Sequence, residues 1–535
     1  MLSVPYGLNS KKQMKKLVTK IVIMLTFVFT SISTQAQNVN IPDANFKAAL
    51  LSNASINTNL DTEIQVSEAA VYTGVIEVSE ANMSDLTGIR AFTALTGLYC
   101  SRNYLTSLDV SGCTALMFLG CSENQLTTLN VSGCTALMFL GCNSNNLTSL
   151  DVSTFTALTR LDCHSNHITS LNLSASTSLT YLICVDNWLS SLNLSANIAL
   201  TDLYCSVNQF TSLNLLTNTA LTTLYCSVNQ FTSLNISANT ALTNLNCFNN
   251  YITSLNVSTN TALTSLDCSY NYITSLNVTA DTALGYLNCA SNPLTTLNVT
   301  ANTALGYLNC ASNLLTNLNV SSNNALSYLN CASNLLTSLN VSSNNALSYL
   351  ICAGNFLTSL NVSTNTALGL LYCHANQLTS LDVSSNATLS DLICHSNQLL
   401  NLNVSNGLNK SMISFAAGNN PNLKCIEVDD ASWSAINWHF YVDSIASFSE
   451  DCSALGILDN IQSNTLLVYP NPTNNIINIE GLNINENNLI QIFDVQGKLV
   501  ITKTITEKET IDLSELNKGV YVIKIGEVAQ RIVKM

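Results

Sequence analysis

Fifteen cysteines, from Cys100 to Cys394, fall 21 residues apart without a slip in register. Thiols in that number raise two chemistries, metal ligation and disulfide exchange, against a structural use as small buried hydrophobes. Zinc needs four ligands converging on one point. A strict 21-residue spacing sends every thiol the same way from parallel strands, among leucines, so the expected role is a small apolar filler where leucine would crowd a narrow coil. An asparagine follows each cysteine by three residues, Asn103 to Asn397. An amide carries both donor and acceptor, and is expected to pair backbone groups where the chain leaves a strand.

Other residues offer chemistry off this register. Asn57, Asn59, Asp61, Glu63 and Glu68 occupy positions 1, 3, 5, 7 and 12 of a calcium loop. Calcium takes several oxygen ligands closed by a bidentate glutamate; Thr62 stands where such loops carry glycine, so a metal-free cap is the alternative. His374 and His395 lie one coil apart, with no carboxylate or third histidine at matching positions. Cys425 and Cys452 stand in an aromatic-rich stretch and are expected to form a disulfide in an exported chain. Cys113 and Cys134 are a further pair 21 apart, able to bond or simply to lie side by side. No G-x-S-x-G elbow, H-E-x-x-H or phosphate loop occurs. Asp151 and Asp162 are the acids nearest in sequence within the repeats, and they fall in opposite halves of a coil, unlike a glycosidase pair.

The elements that position these residues follow from the repeat. In the coil Leu263 to Ala283, Leu263, Leu266, Cys268, Ile273, Leu276 and Val278 are the apolar positions. The alternation around Leu266 and Cys268 reads as a short strand with both facing inward. Each coil divides into nested halves of 11 and 10 residues, with a strand possible on each side. One coil cannot bury its own apolar face, but stacked coils share a continuous core. Fifteen coils make a rod on the order of 70 Å long. The outward position before the second leucine is Tyr286, Tyr307, Tyr328 and Tyr349 in four consecutive coils, beside Asn288, Asn309 and Asn330, with Ile351 ending the second row. Exposed aromatics on a flat, weakly charged sheet suit sugar rings or protein anchors; recent duplication of near-identical coils is the alternative origin. Tyr204, Tyr225 and Trp188 extend the aromatic character toward the N-terminal side.

Composition frames the ends. Only 9% of the 535 residues are charged and the net charge is −14, which argues against nucleic acid or an anionic membrane as partner. Residues 1–36 read as a signal peptide: Lys15, Lys16 and Lys20, then an apolar run from Ile21 to Phe29, then small residues before Ala36, with Met14 an alternative start. No later run is long enough for a membrane helix. The expected organisation is a helical N-terminal cap at 37–94 carrying the calcium-like loop, a solenoid at 95–410, a C-terminal cap at 411–455, a linker at 456–465, and a small β-sandwich at 466–535, where short alternating strands appear at 476–479, 489–493, 498–505 and 520–525.

Two resemblances attach to these motifs. The 95–405 stretch, with its L-x-x-L-x-C-x-x-N-x-I halves, resembles the bacterial leucine-rich repeats. The tail carries Tyr469-Pro470-Asn471-Pro472-Thr473, Phe493-Asp494-Val495-Gln496-Gly497-Lys498, Leu516-Asn517-Lys518-Gly519-Val520-Tyr521 and a final Lys534-Met535, and resembles the sorting domain of the type IX secretion system. That resemblance implies export across the outer membrane of a Gram-negative bacterium, with the secretion machinery as one partner and release or surface attachment as the outcome. The chain is thus expected to be mainly β, a secreted or cell-surface binding protein that recognises a protein or glycan through its strand face. It is not expected to be an enzyme, and calcium is its only candidate cofactor. A passive spacer is the rival reading, and a polysaccharide-acting enzyme a more distant one.

Overall fold

A computed structural model describes residues 37–452, 467–480, 488–494, 497–505, 509–525 and 528–535. The signal-peptide stretch and the 456–465 linker lie outside the described residues. Two compact units divide the chain, Met1–Asn422 with Trp438–Asp443, and Leu423–Asn437 with Ser444–Met535.

The first unit is a solenoid. Seventeen three-residue strands form one parallel sheet, from Val75–Glu77 to Ser414–Ala416. Pairing is in register: Leu266 lies opposite Leu245 and Leu287, and Tyr307 opposite Tyr286 and Tyr328. The central leucine of each repeat strand and the following cysteine point inward and are buried. The sheet begins before the expected boundary at 95 and runs past 410. Val78 and Ala417, both buried or nearly so, take the cysteine slot in these end coils, at spacings of 22 and 23 residues rather than 21, so a count of cysteines misses them.

The opposite side of each coil holds little regular ladder. Ser107–Asp109 pairs with Thr128–Asn130 and Ser380–Asp382 with Asn401–Asn403. Elsewhere only the bridges Asn277–Asn298 and Asn298–Asn319 occur among the described residues.

Asparagine ladders hold the coils together. Asn271 Nδ2 donates to the carbonyls of Cys247, Cys268 and Ser269 at 3.0–3.2 Å, while its Oδ1 accepts from Ile252 N–H at 3.0 Å. The residue before each ladder asparagine turns the chain through left-handed backbone, as at Tyr270 (φ 53°) and Val228 (φ 53°). That conformation costs a β-branched residue most, so the turn is imposed by the coil and not by the residue in it. A second column, Asn197 to Asn386 with Asp281 in place of one amide, runs on the other side, and its asparagines donate in the same way; Asn260 Nδ2 reaches the carbonyls of Ile236 and Asn239. Cys113 and Cys134 begin this second column. They are not bonded to each other, and their thiols donate to the carbonyls of Ile89 and Val110.

At the N-terminal end, α1 (Ala44–Ser52) is capped by Asp43, whose carboxylate accepts from the N–H groups of Asn45 and Phe46. Its buried face carries Phe46 and Leu50.

In the second unit, Cys425–Glu427 pairs in parallel with Ser447–Ser449, and a disulfide joins Cys425 to Cys452 with their Cα atoms 5.9 Å apart. The tail forms two antiparallel sheets. Leu467–Tyr469, Ile476–Glu480 and Glu509–Asp512 make one, and Asn488–Asp494, Leu499–Ile505, Gly519–Ile525 and Val528–Lys534 the other. Ile477, Ile479, Ile490, Ile492, Ile511 and Ile523 are among the residues of their shared core, as alternating strands require. Leu467–Tyr469, Glu509–Asp512 and Val528–Lys534 are not among the strands expected from the alternation.

Candidate binding face

On the outward side of the long sheet, Tyr286, Tyr307 and Tyr328 stand in a column. Their ring centroids are 4.4 and 4.3 Å apart and their planes are 12° and 8° from parallel. Tyr349 follows at 6.0 Å, tilted by 37°. The rings close to less than the strand spacing of about 4.8 Å, so they lean together and cover one another's faces. This changes what they can offer. The inner rings present edges and hydroxyls rather than open faces, so stacking of a sugar on each ring in turn is not available. Burial, then the neighbouring phenols Tyr328 and Tyr286, pushes the Tyr307 hydroxyl well above its ordinary pKa, which keeps it a neutral donor.

Asn288, Asn309 and Asn330 lie two residues on in each strand. Their Oδ1 atoms accept from the N–H groups of Ala290, Ala311 and Ala332 at 3.1–3.3 Å. Each amide is thereby oriented with its NH2 group available beyond that contact, except that Asn288 Nδ2 donates to Asp267 at 3.1 Å.

A second aromatic group occupies the earlier coils. Tyr181, Tyr204 and Tyr225 contact in sequence at 5.5 and 5.1 Å. The Arg160 guanidinium lies 4.1 Å from the Tyr181 ring centroid, within cation–π range. Burial, then Tyr181, raises the Tyr204 hydroxyl to about 12. Trp188, half exposed, packs on His167 at 4.7 Å.

One row escaped the sequence reading. The residue directly after each ladder asparagine is Tyr251, Tyr272, Pro293, Leu314, Leu335 and Phe356 in six successive coils. All but Pro293 are exposed large apolar side chains. The signal was present at 21-residue spacing, one position past the asparagine.

The calcium-like loop is committed to protein partners. Glu68 caps α2 (Val66–Val71) at its third residue and closes a capping box with Gln65. Its Oε1 accepts from Thr58 N–H, Thr58 Oγ1 and Asn59 N–H, and its Oε2 from Gln65 N–H. Burial works against the Glu68 charge, but these donors outweigh it and hold the carboxyl below its ordinary pKa. Glu63 pairs with Lys47 at 2.6 Å, and Asp61 accepts from Asn59, Gln65 and Glu63 N–H. Asn57 Oδ1 is buried without a partner. Among the described residues no three His, Cys, Asp or Glu side chains gather as a metal group. Calcium would therefore have to displace Lys47 from Glu63 and backbone donors from Glu68.

His374 and His395 stack at 4.7 Å; burial, then His395, lowers the His374 pKa. Asp151 is bonded to Ser153 and Asp162 to His164. Burial raises the ladder thiols, Cys121 and Cys226 to about 12, which makes them inert rather than nucleophilic.

The comparisons place both units. Residues 467–535 match the family described as the secretion system C-terminal sorting domain. This tail is a type IX sorting domain. It marks the protein for export across the outer membrane, to the cell surface or beyond. Among solved structures, the functional domain of InlJ from Listeria monocytogenes, described as including a cysteine ladder, is 28% identical over 93% of this chain and 98% of its own, with a TM-score of 0.56. An internalin of Listeria monocytogenes is 24% identical, covering 60% of this chain and 98% of its own, TM-score 0.52. A plant peptide hormone receptor, RGFR1, in complex with RGF2 is 17% identical, covering 68% and 76%, TM-score 0.52. No curated protein matches the chain. The solenoid ahead of the sorting domain is thus of the leucine-rich-repeat type, and no helix among the described residues is long and apolar enough to cross a membrane.

Proposed function

We propose that this exported protein is a recognition module that binds a macromolecule through the outward face of its long parallel sheet, in adhesion or in capture of a host, neighbour or matrix component. The observation that carries this is the contrast between its two sides. Along the cysteine strands the outward residues vary from coil to coil, with the Tyr181–Tyr225 group, a polar stretch at Thr223, Asn244 and Ser265, and the Tyr286–Tyr349 column. Along the other side, from Thr232 to Thr379, the exposed residues are threonine, serine, asparagine and alanine almost without change, with no exposed aromatic; Leu216, one coil earlier, is the nearest large apolar side chain there. A spacer needs only the second kind of surface. Concentrated aromatic side chains on a rigid face are what a binding surface uses for anchors. Support also comes from fold: the plant receptor of similar architecture is solved with RGF2 bound.

The test is an array of glycans and extracellular proteins probed with the exported protein. Saturable binding to a restricted set is expected. Binding to nothing above a protein-free control would favour the spacer.

A further inference from the structure

The row that follows the ladder asparagines continues past its six apolar members. Gln209 and Gln230 precede Tyr251, and Gln377 and Gln398 follow Phe356, each 21 residues from the next. All four glutamines are exposed. From either end the row therefore runs two amides, six apolar residues and two amides, with no Asp, Glu, Lys or Arg at any of its positions. Tyr251 and Tyr272, each about half exposed, stack at 6.2 Å with their planes 17° apart. Leu314, Leu335 and Phe356 are 45%, 39% and 46% exposed. Small polar residues border this strip. Ser312 and Ser333 stand at the left-handed turns before it, and Thr316 and Thr337 lie beyond it, all exposed. An apolar strip with a polar border has the anatomy of a protein–protein interface.

We propose that this row is covered by a second copy of the chain, the two solenoids lying antiparallel about a two-fold axis between the coils of Pro293 and Leu314. The mirror order of the row decides the occupant. In an isologous contact residue i meets residue j and j meets i. A row that pairs antiparallel with itself must therefore carry matching chemistry at equal distances from its centre. About this centre Pro293 meets Leu314, Tyr272 meets Leu335 and Tyr251 meets Phe356. The next two steps bring Gln230 to Gln377 and Gln209 to Gln398, each amide offering a donor and an acceptor to the other. A surface facing an unrelated protein or a glycan has no need of this symmetry. A second copy also repeats at the same spacing of about 4.8 Å per coil, so the pairs stay in register over about 43 Å. A parallel pairing would set Pro293 against Pro293 and leave a gap between bulkier neighbours, whereas the antiparallel one fills that place with Leu314. The area is sufficient. Five half-exposed apolar side chains, at roughly 200 Å² each, and four glutamines give on the order of 800 Å² per copy, as in specific interfaces of standard size. The contact lies past the strands and does not depend on what the strand face binds.

Sedimentation equilibrium of the exported protein tests this. A reversible monomer–dimer equilibrium is expected, with a dissociation constant on the order of micromolar or tighter. Salt should strengthen it by screening the repulsion between two acidic chains. Leu314→Lys/Leu335→Lys, at exposed positions, should weaken it by about a hundredfold or more, because each lysine would be buried unpaired, while the monomer's melting curve stays close to wild type. The register is read by oxidising an equal mixture of the Tyr272→Cys and Leu335→Cys proteins. A disulfide-linked pair is expected from the mixture and from neither variant alone, since the two copies of position 272 lie three coils, about 14 Å, apart, beyond disulfide reach. A monomer at every concentration, a dimer unaffected by the lysine variant, no linkage in the mixture, or linkage of the Tyr272→Cys protein to itself overturns the proposal.

Discussion

Asp281 stands one coil beyond Asn260 in a column of buried amides, and it lacks the donor that makes that column work. Asn260 Nδ2 donates to the carbonyls of Ile236 and Asn239, whereas both carboxylate oxygens of Asp281 are buried without a partner. Desolvation raises its pKa to about 6. A raised folded-state pKa means that the folded form binds the proton more tightly than the unfolded chain. The protonated acid is accommodated fully below about pH 4, and the stability is lost as pH rises through 6. Asp281→Asn should therefore raise the melting temperature at pH 7–8, by roughly 1–3 kcal/mol of stability. The gain should shrink toward zero near pH 4. Melting curves of both forms across pH 4–8 check this, and a gain independent of pH would contradict it.

The first ladder is tested by removing one of its amides. Asn271→Ala would leave Ile252 N–H without its acceptor and take one of two amide donors from the carbonyl of Cys247, which keeps Asn250, at roughly 1–3 kcal/mol for the N–H left unpaired. Because coils stabilise their neighbours, denaturant unfolding should show local opening around this coil, readable by hydrogen exchange at Ile252 and Cys268.

Thiol counting tests the cysteine column. Denatured protein kept from reductant should titrate 17 free thiols, and reduction should release the two of Cys425 and Cys452. The native protein should react slowly, since burial disfavours the thiolate throughout the column. Peptide maps showing ladder cysteines joined to one another would contradict it.

The capping role of Glu68 makes a separate prediction. Its pKa is depressed in the folded state, so it contributes stability above its ordinary pKa, and this contribution is lost as pH falls. Glu68→Ala should destabilise the N-terminal cap by about 1–2 kcal/mol at pH 7. The loss should be equal in chelator and in millimolar calcium. A calcium-dependent rise in melting temperature that disappears in Glu68→Gln would contradict this and show that the loop binds the metal.

These cases show what the chain made legible. Spacing of cysteine and asparagine carried the coil, its inward residues and its length, because an in-register repeat permits few packings. It failed at Val78 and Ala417, where a different small residue fills the slot and the spacing slips. Period two placed Tyr307 and Tyr328 outward. In-register coils about 4.8 Å apart also place successive rings within stacking contact, as found at 4.4 and 4.3 Å. The tilt of Tyr349 away from the column is not encoded by spacing. For Glu68, the twelfth position of a calcium loop and the third residue of a capped helix coincide, and its contacts with Thr58 and Gln65 show the capping role, which the spacing alone did not single out. The Tyr251 to Phe356 row was readable but lies past the strand, where turns draw less notice.

The central claim is that the varied strand face, and not the uniform side, binds. The most direct measurement compares two variants altered in the same coils on the same array. One carries Tyr204→Ser, Tyr225→Ser, Tyr307→Ser and Tyr328→Ser, and the other Thr211→Ala, Thr232→Ala, Thr316→Ala and Thr337→Ala. With both shown to be folded by their melting curves, the tyrosine variant should lose the ligands of the wild type and the threonine variant should keep them. Equal retention by both, or loss confined to the threonine variant, would contradict it.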